Sequence, residues 1–215
     1  EICACLVGSE MCIRDSNKLS KMERIAIGQA KELFGSHFIG WDELKPLLEK
    51  LGLSLSSIRI PDIHYTLDDL EKKSKDYILI LGIPELDGKK LSIANFRNCF
   101  GVNPDISEPC FYNQDWYMNE KFIHDTLELR WYLLKKDAIE DSRAVQPTEL
   151  LKEHISFPSA ILCVYTFFAY YYAQKGLLWY HDFIWCSDTD HNGDRIYVGK
   201  YLSLIHISEP TRHAQ

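Results

Sequence analysis

Apolar residues recur at helical spacing in the first quarter of the chain. Four leucines within residues 44–51 fall at positions i, i+3, i+4 and i+7, which predicts an amphipathic helix ending at Gly52. An earlier helix is predicted to begin at the capping box of residues 20–23 and to end at Gly35. Because only the turn HFIGW separates the two helices, residues 17–57 are expected to form a helical hairpin.

Other segments follow the patterns of β-strands. Residues 77–83 are a short continuous apolar run closed by Pro84, which predicts a strand buried on both faces. Apolar and polar residues alternate over 127–133, which is typical of a half-buried strand. Residues 183–186 and 195–201 flank a polar turn and predict an antiparallel hairpin. Together these segments predict a mixed or antiparallel sheet of about four strands packed on helices.

Helices are predicted between and around these strands. They are expected at residues 66–74, 92–100, 115–126, 147–154 and 158–174, with a loop at 102–114. The uncharged stretch 156–174 is nearly long enough to span a bilayer, but it contains Pro158 and four tyrosines, and charged segments flank it. We therefore expect a core helix and no membrane partner. Because strands and helices alternate irregularly, the fold class is predicted to be α+β, with one domain over 17–201.

Both ends of the chain lack any such pattern. Residues 202–212, LSLIHISEPTR, can be encoded by an oligonucleotide whose complementary strand, in another frame, encodes CLVGSEMCIRDS, residues 5–16. Two unrelated protein termini would almost never share one oligonucleotide, and the string resembles the transposase-end adapter of short-read sequencing libraries. Residues 1–16 and 202–215 are therefore predicted to be non-native tails and are excluded from the inference of fold.

Composition and charge restrict the class of function. The chain has 215 residues and a formal net charge of −7, and it contains no block of lysine and arginine, so nucleic acid is a disfavoured partner. The exposed face of the second predicted helix mixes both charge signs, which does not favour phosphates. The four cysteines within 17–201 are scattered without a C-x-x-C pair, which excludes a zinc knuckle and indicates a reducing, cytoplasmic location.

The polar turn of the predicted hairpin has the spacing of a calcium loop. Oxygen-bearing side chains stand at positions 1, 3, 5 and 7 of this loop, namely Asp188, Asp190, Asn192 and Asp194. Gly193 occupies position 6, but Gly199 stands at position 12, where a calcium loop needs a glutamate. Calcium is the one candidate cofactor. The alternative is a hairpin turn in which Asn192 and Gly193 supply positive φ.

Two further groups of residues could carry chemistry. The aromatic segment 111–117 offers Asn113, Gln114 and Trp116 for stacking and directional hydrogen bonds to a ligand, or else for core packing and helix capping. Glu120 and His124 lie four residues apart on a predicted helix and could begin a metal site, although no third ligand is identified. The alternative for this pair is an exposed ion pair.

Several motifs taken together resemble those of a bacterial protein family. They are FGSHFIGWDEL, IPDIHYTLDDLE, ILILGIP, FYNQDWYMNEKF, WYLLKK and CSDTDHNGDRIYVGKY, which together cover most of residues 28–201. The family is known chiefly from metagenome-derived genomes of small uncultivated bacteria, and no activity is assigned to it. Its members continue past the equivalent of Tyr201 with further strands, so the resemblance implies a sheet cut short at its C-terminal end.

Catalytic motifs are absent from the sequence. No G-x-S-x-G, G-x-G-x-x-G or G-x-x-x-x-G-K pattern occurs. The leading hypothesis is therefore a non-enzymatic interaction or accessory protein with a protein partner. The alternatives are a metal-assisted hydrolase that uses the acidic hairpin loop, and a nucleic-acid-associated protein that uses the N-terminal helical pair.

Overall fold

The computed structural model describes residues 2–3, 25–55, 58–139, 142, 145–152, 155–179, 182–201 and 204–209. The α-helices of this part are α1 (Ile27–Phe34), α2 (Trp41–Lys50), α3 (Leu67–Lys73), α4 (Ile93–Phe100), α5 (Pro147–Lys152) and α6 (Ala160–Gln174). The strands are β1 (Ile2–Cys3), β2 (Phe38–Ile39), β3 (Tyr77–Leu81), β4 (Glu85–Leu86), β5 (Lys89–Lys90), β6 (Cys110–Phe111), β7 (Trp131–Lys135), β8 (Phe183–Thr189), β9 (Arg195–Tyr201) and β10 (Leu204–Ser208).

The strands form three sheets. The largest has the order β1-β8-β9-β10-β6, in which β8, β9 and β10 are antiparallel neighbours and β6 is parallel to β10. The second has the order β2-β3-β7, with β2 parallel and β7 antiparallel to β3. Strands β4 and β5 form a separate antiparallel pair. This arrangement confirms the α+β class, with the strands divided among three sheets.

Helix α6 is the centre of the core. It contacts α2, α4 and β2 of the three-stranded sheet, and also the β8–β9 hairpin of the five-stranded sheet. All residues from Ala160 to Ala169 are buried, as expected for a helix that is apolar all round. Its 15 residues extend about 22 Å. Among the described residues, no helix combines the length and the hydropathy needed to cross a membrane.

Local pattern predicted several elements correctly. The leucine stripe lies in α2, where Leu44, Leu47 and Leu48 are fully buried. Helix α3 begins as expected, because the Thr66 side chain accepts a hydrogen bond from the backbone N–H of Asp69. The predicted capping box at 20–23 lies outside the described residues, but the helix predicted to begin there starts only at Ile27, because the backbone of Ala26 is extended.

Four predictions needed correction. The turn HFIGW contains β2, and the loop predicted at 102–114 contains β6; both are two-residue strands. The strand predicted at 127–133 begins only at Trp131, and its first four residues are all buried, because β7 is covered on both faces. The helix predicted at 115–126 is replaced by two 3₁₀ turns that are separated at Glu120.

The structure includes strands from both tails that are predicted to be non-native. Strand β1 pairs with β8, and β10 lies between β9 and β6. The remaining tail residues, which are 1, 4–16, 202–203 and 210–215, lie outside the described residues. The origin of the tails is a property of the source DNA that the fold does not test, so their non-native character stays a prediction.

Candidate functional site: the acidic loop and the strand cleft

Asp190 closes the loop between β8 and β9. Its side chain is buried at 6% exposure, and its Oδ1 accepts hydrogen bonds of 2.9 Å from the backbone N–H groups of both Asn192 and Asp194. Although burial raises the pKa of Asp190, hydrogen bonds with Glu209 and with these N–H groups outweigh it, so the pKa is lowered. The carboxylate therefore stabilises the turn, as aspartates do in hairpin loops.

Asp188 is directed away from this loop. Its Oδ2 accepts a hydrogen bond of 2.7 Å from the backbone N–H of Ala160, at the first turn of α6. The side chain of the N-cap residue Ser159 accepts a hydrogen bond from another donor of this turn, the N–H of Leu162. Burial raises the pKa of Asp188, and the bond to Ala160 opposes that shift. Asp188 therefore links the hairpin to the central helix.

Replacing Asp188 with alanine is expected to lower the free energy of unfolding by about 1–2 kcal/mol, because the N–H of Ala160 loses its acceptor. Asp188→Asn keeps an oxygen that can accept this bond and is the matched control. Urea denaturation of the three proteins measures the difference. Equal losses for both variants would show that the hydrogen bond is not the stabilising contact.

The structure brings two of the four predicted metal ligands together. Oxygens of Asp190, Asp194 and Glu209 all lie within 4.8 Å of one another. Asn192 contributes its Nδ2, which donates to Asp190 Oδ2 at 3.3 Å, and Asp188 bonds to α6 instead. The third carboxylate thus comes from a tail that is predicted to be non-native, and calcium binding stays a prediction.

Glu120 reaches the acidic loop from the 3₁₀ segment. Its Oε1 lies 2.6 Å from Nδ1 of His191, and the Glu120 side chain is 9% exposed whereas that of His191 is 64% exposed. The predicted pairing of Glu120 with His124 on one helix face was wrong, because the backbone is extended at Glu120. The sequence contains no local spacing that links residues 120 and 191.

The pair formed by His191 and Glu120 is expected to make stability depend on pH. The hydrogen bond and charge of Glu120 raise the pKa of His191 above its usual value of about 6.5. The folded state therefore holds the proton on His191 more tightly than the unfolded state does. The contribution of this ion pair to stability is fully present below the unfolded-state pKa of about 6.5. It is lost as the pH rises through the higher pKa of His191 in the folded state. Thermal midpoints between pH 5.5 and 8.5 should fall less steeply for His191→Gln; identical slopes would contradict this assignment.

A cleft between β9 and β6 holds the strand β10. Ile205 and Ile207 are buried, and Ile207 lies opposite Val198 of β9. The backbone N–H of Tyr112 donates to the Ile205 carbonyl at 2.8 Å, and Trp116 Nε1 donates to the Ile207 carbonyl at 3.2 Å. The cleft therefore binds β10 through both its backbone and its alternate side chains.

The opposite face of β10 meets aromatic rings. His206 stacks on Tyr112 with ring centroids 4.2 Å apart and contacts Phe183 of β8 edge-on at 6.1 Å. Gly199 of β9 lies between Phe183 and His206 in the sheet, because it pairs with Phe183 of β8 on one side and with His206 of β10 on the other. A Cβ at Gly199 would lie 2.2 Å from Phe183 Cδ1, so the absence of a side chain admits the two rings.

The aromatic segment 111–117 lies beside the cleft. Trp116 binds the β10 backbone, whereas Asn113 is exposed and the Gln114 carbonyl accepts from Arg97 Nη2 at 2.9 Å. A ligand role for Asn113, Gln114 and Trp116 stays a prediction. Tyr112 was missed, although its place beside Asn113 in an aromatic run was the available indication.

The chain was compared with protein families, curated proteins and solved structures. No protein-family model, no curated protein and no solved structure matches the chain. The resemblance to a bacterial family therefore stays a prediction.

Proposed function

We propose that this is a non-enzymatic interaction protein that receives a β-strand of a partner polypeptide in the cleft between β9 and β6. The observation that supports this proposal is the binding of β10, a segment predicted to be foreign to the protein, through the backbone contacts of Tyr112 and Trp116. The atoms of β10 stand in for those of an extended peptide. Recognition by strand addition draws affinity from backbone hydrogen bonds and specificity from alternate side chains.

The residues that form the cleft all lie within 17–201, the part predicted to be native. Phe111 of β6 is fully buried and packs on Phe168 of α6, which anchors one wall in the core. The other wall is β9, whose Ile196 and Val198 are also buried. Because both walls are held by the core, the cleft is preorganised for a strand, which reduces the ordering cost of binding.

A severed chain tests this proposal. A protease site inserted at residues 202–203 allows the chain to be cut after folding, and a fluorescent peptide of sequence LSLIHISE then competes for the cleft. We expect exchange of the cut segment for the peptide, with a dissociation constant on the order of micromolar. Fluorescence anisotropy measures binding, and near-ultraviolet circular dichroism reports whether the cut protein stays folded.

Matched variants make this test specific. Trp116→Phe removes the donor to the bound strand and is expected to weaken the peptide about 3- to 10-fold. Trp41→Phe, at the first residue of α2, is the control and should leave binding unchanged. Loss of the native circular dichroism on release of the segment would identify β10 as an integral strand and overturn the proposal. Dimerisation of the cut protein would also overturn it.

The metal-assisted hydrolase is a second candidate, favoured by the grouping of Asp190, Asp194 and Glu209. Against it, Asp190 Oδ1 already accepts two backbone hydrogen bonds and Asp188 is bound to α6. Calorimetry separates the two functions. We expect no heat from calcium at millimolar concentration, and saturable binding would favour the metal site.

A further inference from the structure

We infer that the cleft selects partner strands in which a planar ring lies between two aliphatic residues. This inference rests on the proposed function and specifies the chemistry of its partner. Its basis is the different surroundings of the two faces of β10. One face is buried in the apolar core, and the other meets the rings of Tyr112 and Phe183.

The aliphatic requirement follows from the core face. Ile205 and Ile207 have exposures of 1% and 0%, and they belong to the same apolar cluster as Val198 and Ile196 of β9. A polar or charged side chain in either position would be buried without a partner of opposite polarity. The spacing of two residues between these positions is the spacing of one face of a strand.

The ring requirement follows from the opposite face. The Tyr112 ring is 40% exposed and lies nearly parallel to the ring of His206, with an angle of 18° between their planes. The Phe183 ring approaches from β8, on the far side of β9, with an angle of 78° between the ring planes. Stacked and edge-on arrangements of this kind are favourable beyond the burial of area. A residue without a ring in this position would remove the stacking on Tyr112 and the edge-on contact with Phe183.

Gly199 is the residue that makes this selection possible. In the sheet it stands directly between Phe183 and His206, so no side chain separates their rings. Rings on neighbouring strands commonly cover a glycine in this way. Tyr112, Phe183 and Gly199 therefore act together as the specificity-determining residues of the cleft.

A panel of peptides tests the selection with the severed protein described above. Relative to LSLIHISE, replacement of the histidine by phenylalanine should preserve the affinity, and replacement by alanine should weaken it roughly 3- to 10-fold. Replacement of either isoleucine by aspartate should abolish binding. If none of the peptides binds, the proposed function itself fails. If the alanine peptide binds as tightly as the parent, only the ring selection fails.

A double-mutant cycle assigns the ring contact to Tyr112. Tyr112→Ala is expected to weaken the histidine peptide by less than the histidine-to-alanine change does, because the contact with Phe183 remains, and to leave the alanine peptide unaffected. Tyr112→Phe keeps the ring and is the matched conservative variant, which should recover most of the affinity that Tyr112→Ala loses. Equal weakening of both peptides by Tyr112→Ala would overturn the assignment, because the effect would then be independent of the peptide ring.

Discussion

Replacing Phe168 with alanine is expected to lower the free energy of unfolding by about 3–5 kcal/mol. Phe168 lies in the middle of α6 and is fully buried. Its ring stacks on Phe100 with centroids 4.0 Å apart and contacts the rings of Phe96 and Phe111 at 5.4 and 5.7 Å. The alanine variant would leave a cavity among rings that come from α4, α6 and β6.

Chemical denaturation measures this loss, and Phe168→Leu is the matched control. Leucine fills more of the space than alanine and should therefore cost less than the alanine change. Because Phe111 forms one wall of the strand cleft, the alanine variant should also weaken the peptide LSLIHISE in the severed protein. A loss of stability below 1 kcal/mol would show that the aromatic cluster is not the centre of the core.

Changing Gly199 to glutamate is expected to destabilise the protein by at least about 3 kcal/mol and to create no calcium site. In the sequence this change completes the calcium loop, because position 12 then holds a carboxylate. In the structure the new Cβ would lie 2.2 Å from Phe183 Cδ1 and 2.7 Å from the Asp182 carbonyl oxygen. Overpacking a sheet and burying a carboxylate both oppose folding.

Thermal unfolding with and without calcium measures both parts of this prediction. The midpoint should fall and should not recover at millimolar calcium. Gly193→Ala is the informative comparison, because nothing lies within 4 Å of its Cβ position and only its positive φ opposes the change. Recovery of the glutamate variant by calcium would show that the loop does bind the metal.

The elements predicted correctly from the sequence were those whose own residues show a hydrophobic pattern. The stripe of α2 and the apolar length of α6 are properties of their own residues. Strands β2 and β6 have two residues each and are defined by pairing with distant strands, which no local pattern reveals. The helix expected at 115–126 is interrupted at Glu120, where the backbone is extended and the side chain pairs with His191 from a distant segment.

The sequence identified residues of the acidic loop but not which way each side chain points. The spacing of the acidic loop located Asp190 and Asp194, which do lie together. The same spacing placed Asp188 with them, but the first turn of α6 offers it a backbone donor that is 28 residues away in the chain. Tyr112, Phe183 and Gly199 come from three separate segments, so only the sheet register brings their positions together.

The central position of α6 has a consequence for the order of folding. Its Tyr165 hydroxyl donates to the carbonyl of Leu81, 84 residues earlier in the chain, and α2 packs on it from still farther away. Contacts of such separation slow folding, because long loops must close before the contacts form. On the ribosome, the residues of α2 and of the β2-β3-β7 sheet are synthesised before those of α6, so the apolar surfaces that α6 covers have no cover until residues 160–174 emerge.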